Sequence, residues 1–301
     1  MSDVAAFEYQ RVRLLGLAYR MLGEMSAAED VVQEAWLRWS LTDSKTVHDV
    51  RAWLSAVTVR LSLDALRRVQ ARRESYVGPW LPEPLAPDAV NAFTAEDPGA
   101  HVELASDLSL ALLYLLERLS PEERAAFILH DAFDCEYAEI AATLGKSEVA
   151  CRKLVSRARA RVRADYVRQP TNPEDHKRLL LAFAAAAASN DSKQLKALLS
   201  EDVVVVADGG GRVQASLSPV VGADNVARFV AEFARTSSPQ NPIDVQLGEV
   251  NGQPSLVLRA GGALFGTVSI TSDGERITAI FAIRNPEKLA RIDAALATSP
   301  L

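Results

Sequence analysis

Apolar positions recur at helical spacing through the first part of the chain. Val32, Trp36 and Trp39 fall at i, i+4 and i+7, and Trp53, Leu54, Val57, Leu61 and Ala65 form a second stripe. Residues 5–75 therefore read as helices, each with one buried face. Ser26-Ala27-Ala28-Glu29 has the S-x-x-E form of a capping box and predicts a helix start there, running to about Trp39. Asp30, Gln33, Glu34 and Leu37 then share a different face of that helix. Residues 40–50 are polar and read as a loop, followed by an arginine-rich helix over 51–73.

The pattern breaks at 76–102. Gly78-Pro79-Trp80-Leu81-Pro82-Glu83-Pro84, with Pro87 and Pro98 beyond it, cannot sustain a helix or a central strand. This is an interdomain linker, and Trp80 and Leu81 are too apolar for an idle tether, so part of it is expected to dock. Helical spacing resumes over 103–168. Ser120-Pro121-Glu122-Glu123 joins an N-cap serine, a proline at the first helical position and a capping-box glutamate. Tyr137–Leu144, Gly145 and a second helix from Ser147 to about Arg163 have the form of a helix-turn-helix.

From 172 to 294 the period changes. Asn172-Pro173-Glu174 opens a helix, Val203–Val206 is a strand, and Gly209-Gly210-Gly211 is a tight turn. Residues 223–235 form a short amphipathic helix with Val226, Phe229, Val230 and Phe233 inward. β-rich runs follow at 243–250, 255–260, 264–271 and 276–283, punctuated by Asn251-Gly252 and Asp273-Gly274. Helices followed by a meandering antiparallel sheet predict an α+β domain.

Composition adds a segregation of charge. The formal net charge is −6, which alone argues against nucleic acid. Yet six arginines lie between Arg51 and Arg73, with Asp64 the only acid among them, and eight basic residues lie between 146 and 168 against two acids. Two positive patches in an acidic chain can neutralise phosphates while the remainder limits non-specific binding. The two cysteines, Cys135 and Cys151, have no cysteine or histidine at ligand spacing, so neither a metal site nor a disulfide is expected, and no cofactor is implied. The N-terminus has no basic and apolar leader pattern, and the longest apolar run, Leu179–Ala188, is ten residues. The expectation is a cytoplasmic protein that does not enter the membrane.

The chemistry these residues offer is recognition. The second helix of a helix-turn-helix lies in the major groove with its N-terminal residues at base edges. Here those are Ser147, Glu148, Cys151, Arg152 and Lys153, with Ser156 and Arg157 one turn on. Arg60, Arg67 and Arg68 of the earlier helix, behind an aromatic and polar loop, fit a basic groove for single-stranded DNA. Asp30, Gln33 and Glu34 sit on a helix without an adjacent histidine, which favours a protein contact over acid/base chemistry.

The motifs then carry a resemblance. Ala28–Trp39 (A-E-D-V-V-Q-E-A-W-L-R-W) resembles the polymerase-binding helix of sigma domain 2, and Arg51–Arg68 resembles the adjoining promoter-melting region. Leu119–Phe127 (L-S-P-E-E-R-A-A-F) and the helix-turn-helix resemble sigma domain 4. Their order and spacing match the extracytoplasmic-function class of RNA polymerase sigma factors over roughly residues 7–167. Trp80–Pro84 (W-L-P-E-P), Asp208–Arg212 (D-G-G-G-R) and Asn285–Leu289 (N-P-E-K-L) resemble a subgroup, the SigJ-like sigma factors, with a fused C-terminal SnoaL-like cone.

The resemblance implies two all-α sigma domains, 5–75 and 103–168, joined by the linker 76–102, and an α+β cone over 172–294. It implies that Asp30, Gln33, Glu34 and Leu37 grip the clamp helices of the largest subunit of core RNA polymerase, with the flap of the second-largest subunit as a further contact. Arg60 and the loop 43–50 would face the melted minus-ten element, and Arg152, Lys153, Ser156 and Arg157 would read the minus-thirty-five element. Arg60 stands where many relatives carry asparagine. The C-terminal domain would modulate activity in cis, through Trp80, Leu81, Pro82, Asp208, Gly210, Arg212, Asn285 and Lys288.

Two other readings stand beside it. One is a helix-turn-helix regulator with a ligand-sensing domain, which would not need the Asp30–Glu34 face. The other is a SnoaL-like cyclase or isomerase fused to a DNA-binding arm. Beyond His176 there is no histidine and beyond Tyr166 no tyrosine, so a carboxylate base would lack the donor such chemistry needs, and a non-enzymatic role is expected. Asp208 and Arg212 flank the glycine turn either as solvated charges or as an interdomain latch that meets sigma domain 2 or the Trp80–Pro84 linker, with Arg212 on an acidic or carbonyl partner. Whether the cone takes a small ligand is left open by the residues.

Overall fold

The computed structural model describes residues 3–73, 76–95, 108–165, 172–236 and 242–298. Side chains at 70–73 lie outside the described set, as do His101 and Pro98. The chain divides into two compact units. One comprises residues 1–75, 89–108 and 112–166; the other comprises 76–88, 109–111 and 167–301.

The first unit is helical. Helices α1 (Asp3–Leu22), α2 (Met25–Ser40) and α3 (Val50–Arg73) bury Leu14, Leu17, Tyr19, Val32, Trp39, Leu54 and Leu66 between them. The Trp39 indole N–H donates to the Asp3 carbonyl at 2.9 Å, and Arg13 donates to the Ser55 hydroxyl at 2.8 Å. The capping box expected at Ser26 does not form. Helix α2 begins at Met25 with Glu24 at the cap position and no side-chain cap bond, because buried Met25 and Ala28 extend the apolar stripe one residue earlier.

Helix α4 (Pro87–Ala95) uses Pro87 as its first residue, so that proline starts a helix where the sequence reading has only irregular chain. Helices α5 (Leu110–Leu116) and α6 (Pro121–Phe127), a π turn at Ile128–Ala132, and α7 (Tyr137–Leu144) and α8 (Glu148–Asp165) complete the helical elements of this part. The box at Ser120 and Glu123 is present in both directions, at 3.3 and 3.1 Å. Gly145 ends α7 with φ +66°, the left-handed cap that turns the chain into α8. The two helical segments pack together in this unit. Fully buried Arg124 of α6 donates to the Met21 carbonyl at 2.8 Å and to the Leu116 carbonyl at 2.8 Å.

The second unit is α+β. Helices α9 (Pro173–Ala188) and α10 (Ser192–Leu198) lead into β1 (Leu199–Asp208), β2 (Val220–Val221), α11 (Ala223–Ala234), β3 (Ile243–Val250), β4 (Gln253–Ala260), β5 (Ala263–Ser272), β6 (Ile277–Ile283) and α12 (Pro286–Thr298). The sheet order is β2-β1-β6-β5-β4-β3. Strands β3 to β6 form the expected antiparallel meander, with Asn251 and Gly252 at φ +55° and +76° in the first hairpin. The sheet is nevertheless mixed: β1 runs parallel to β6, because the chain between β1 and β3 crosses over through α11. Leu179, Leu180 and Phe183 of α9, Leu195, Val226 and Val230 close one face of the sheet over Val203, Val205, Leu256, Leu258, Ile270 and Ile280.

Candidate functional site

The α2 face is built by helical period alone. Val31, Val32, Ala35 and Trp39 turn inward and leave Asp30, Gln33, Glu34 and Leu37 exposed together, Leu37 at 49 %. Glu34 pairs with Arg38 one turn on at 3.2 Å, both half in solvent, a contact worth little. Among the described residues nothing in the unit covers this face. An exposed leucine flanked by carboxylates and an amide is suited to a partner helix.

Helix α8 presents a similar division. Cys151, Leu154, Val155, Ala158 and Val162 are buried, while Ser147, Glu148, Arg152, Lys153, Ser156 and Arg157 are exposed. Cys151 therefore leaves the set of base-edge candidates: it packs in the core, where burial pushes its thiol up. Ser147 accepts from the Ala150 N–H at 3.3 Å and so caps the helix. Arg152 pairs with Glu148 at 3.1 Å and lies over the Tyr137 ring at 4.8 Å. Arg157 and Arg161 converge on buried Glu123 at 3.4 and 2.6 Å. Burial would raise the Glu123 carboxyl, but hydrogen bonds from Ser120 and the two guanidinium groups outweigh it and hold the group below its ordinary value. The α6 core thus anchors the basic helix.

Arg67 and Arg68 are exposed on α3, Arg67 paired with Asp64 at 3.1 Å. Arg60 is placed differently from the expectation of a free DNA contact. Its Nε donates to the Thr143 carbonyl at 2.9 Å and its Nη2 to the Ala142 carbonyl at 2.8 Å. These are carbonyls of the last turn of α7, where helix geometry leaves acceptors unpaired and a cation is favoured. Thr46, Val47, His48 and Asp49 of the preceding loop line a cleft of about 840 Å³ whose other wall includes Phe133, Cys135, Ala142 and Thr143.

In the second unit Asp208, Asn285 and Lys288, singled out by sequence, are buried, whereas Arg212 is exposed. Asp208, at the end of β1, is 0 % exposed. It accepts from the Tyr76 hydroxyl at 2.6 Å, the Leu81 N–H at 2.9 Å, the Gly210 N–H at 3.0 Å and the Lys288 ammonium at 2.6 Å. Lys288 also donates to the Leu81 carbonyl and lies over the Trp80 ring at 4.1 Å. Asn285 donates to the Tyr76 hydroxyl at 2.8 Å. Burial first, then the bond to Asp208, pushes the Tyr76 phenol well above its ordinary range, so it remains a donor. Gly210 has φ +60°, and a Cβ there would lie 2.3 Å from the Asn285 amide.

A second anchor fixes the other end of the same segment: the Leu85 and Asn251 backbones and the Asn251 side chain exchange hydrogen bonds at 3.0 Å each. Leu81 and Pro82 are buried between these anchors. Sequence reasoning did not select Tyr76 or Asn251. Asn251 was spent on the hairpin turn, and Tyr76 carries no motif of its own. Arg212 corrects the latch expectation. It does not reach the proline segment; it pairs with exposed Glu287 at 2.7 Å, and Lys288 is the cation on Asp208.

Two helical regions, one ending in a helix-turn-helix with a basic recognition face, followed by an α+β unit, define a DNA-binding transcription protein. Residues 7–73 match the Sigma-70 region 2 family and residues 109–162 match Sigma-70, region 4. The chain is 38 % identical to the ECF RNA polymerase sigma factor SigJ of Mycobacterium tuberculosis, covering 95 % of this chain and 93 % of that one. It is 33 % identical to the probable ECF RNA polymerase sigma factor SigI of the same species, covering 97 % and 96 %. The crystal structure of M. tuberculosis SigJ superposes with a TM-score of 0.74 at 35 % identity, over 95 % of this chain and 98 % of that one. The chain belongs to the extracytoplasmic-function RNA polymerase sigma factors. It acts in transcription initiation and binds core RNA polymerase and promoter DNA. No helix among the described residues is long and apolar enough to cross a membrane.

Proposed function

We propose that α2 grips the clamp helices of the largest polymerase subunit through Asp30, Gln33, Glu34 and Leu37, with the flap of the second-largest subunit as a further contact. In this reading Arg152, Lys153, Ser156 and Arg157 read the minus-thirty-five element, and Arg60 with loop 43–50, Arg67 and Arg68 engages the minus-ten region. The observation that carries it is the α2 face: three polar side chains and a leucine, co-facial, exposed and left uncovered by the described residues of their own unit. The test is capture of core RNA polymerase by the full chain and by Asp30→Ala, Gln33→Ala and Glu34→Ala variants. Loss of capture with unchanged melting is expected; full capture by all three overturns the assignment.

The same reading makes the C-terminal domain a cis modulator that works in the cytoplasm without catalysing a reaction. Residues 76–88 connect the two helical regions in the chain, and Asp208, Lys288, Asn285 and Asn251 hold that segment on the α+β unit. A connection bound in this way is not a free tether, so its release changes how far the two regions can separate on a promoter. Arg60 follows the same logic: it exchanges the α7 carbonyls for DNA when the regions part. Asp208→Ala is expected to change run-off transcription and the distance between labels in regions 2 and 4; no change in either removes the role. The C-terminal cavity receives a small molecule that biases this equilibrium.

A further inference from the structure

The α+β unit encloses a cavity of about 670 Å³, of the size that holds a drug-sized molecule. Strand alternation builds its wall: Val205 and Ala207 of β1, Leu256 and Leu258 of β4, and Ile280 and Ala282 of β6 all face it. Phe183, Phe229 and Phe233 cover it from the helices. Continuing the β6 alternation by one step places Arg284 in the same wall.

Arg284 is out of keeping with that lining. Its guanidinium packs against the Phe265 ring at 4.2 Å and the Phe233 ring at 4.9 Å. Nη1 donates to the Gln214 carbonyl at 2.7 Å, but Nε is buried with no hydrogen-bond partner among the described residues. Burial alone lowers its affinity for the proton, and no carboxylate offsets it. The one acid in the lining, Glu232, is exposed. In the β5–β6 register Val268 opposes Ala282 and shares the cavity wall, while Thr267 opposes Ile283 on the other face of the sheet.

A desolvated cation in an apolar chamber is costly unless something completes it. We propose that this cavity binds a small organic carboxylate with an apolar body, its carboxylate on Arg284 and its body against the phenylalanines and the strand residues. A single planar guanidinium matches a monoanionic carboxylate better than a phosphate dianion, which would need a second cation. The site adjoins the proline-segment anchor: the backbone N–H groups of Arg284 and Asn285 both donate to the Asp208 carbonyl, at 2.7 and 3.0 Å.

The proposal rests on the reading that the cavity takes a small molecule, and the test separates the two. The full-length protein is loaded with the neutral fluorophore N-phenyl-1-naphthylamine, and decanoate or 1-decanol is titrated in as competitor. Decanoate is expected to displace the probe at about tenfold lower concentration than decanol, the scale of one charge-assisted contact. Arg284→Met should abolish that preference while leaving decanol unchanged. Equal displacement by the two competitors, or a preference that survives Arg284→Met, overturns the carboxylate assignment. Failure of the wild-type chain to take up the probe or either competitor removes the small-molecule reading itself. The comparison on the wild-type chain stands even where a variant does not fold.

Discussion

Asp30 and Asp208 are the same residue in opposite settings. Asp30 lies on the open face of α2 beside Gln33 and Glu34, whereas Asp208 is sealed at the end of β1 with four donors on its two oxygens. The first contributes almost nothing to the fold and is available to another molecule. The second already has its partners within the chain, and two of them, Tyr76 and Leu81, belong to a segment more than a hundred residues away in sequence. In the helical unit the side chains proposed for recognition are outward and cheap to change. In the α+β unit they are inward and bear on stability.

The most forceful way to break that contrast is to remove each carboxylate in turn. Asp208→Ala strands the Lys288 ammonium in the interior and is expected to cost the α+β unit about 3–5 kcal/mol, read as a fall in its calorimetric transition. Asp30→Ala should move stability by no more than about 0.5 kcal/mol. Comparable losses at the two sites would erase the distinction. Neutralising both partners, as Asp208→Asn with Lys288→Met, should recover much of the loss, since the penalty comes from the unpaired charge.

A smaller effect is expected on α8. Arg152→Ala should weaken binding to a preferred minus-thirty-five sequence by about 1–3 kcal/mol and relax its base preference, in fluorescence anisotropy against a set of single-base variants. Its melting should barely change, as for Asp30. Arg60 crosses the categories, because it is exposed yet engaged. Arg60→Met removes two bonds to the α7 carbonyls and should lower the denaturation midpoint of the helical unit by about 1 kcal/mol; no shift would return Arg60 to the set of idle surface cations.

The subtlest difference is in pH. His176 is buried and its Nε2 meets the Pro254 carbonyl at 3.1 Å, and burial lowers it below 6.5. The unfolded chain therefore binds the proton first. Stability of the α+β unit is unaffected above about pH 7 and falls as pH drops through 6.5 toward the folded value. His176→Gln should flatten that slope in urea titrations between pH 7 and 5; an unchanged slope assigns it to other groups.

Much of this was legible from local pattern. Helical period alone separated Val32 and Trp39 from Asp30, Gln33 and Glu34, and the S-P-E-E signal marked the start of α6. Asn251-Gly252 marked the first hairpin of the meander because only certain residues accept positive φ there. Where the reading failed, a long-range contact outweighed the local signal. Ser26 does not cap α2, since burial of Met25 set the boundary. Arg212 does not serve the proline segment, since Glu287 is beside it and Lys288 holds the buried end.

By itself, the sequence determined most element types, the exposed polar faces of α2 and α8 and the family, because each depends on residues close together in the chain. Only the tertiary structure decided that β1 runs parallel to β6, that Arg60 caps α7, that Tyr76 and Lys288 close on Asp208, and that Arg284 stands alone in an apolar cavity. Those outcomes depend on which distant backbone and charged groups meet once water is excluded, and no periodicity along the chain encodes that meeting.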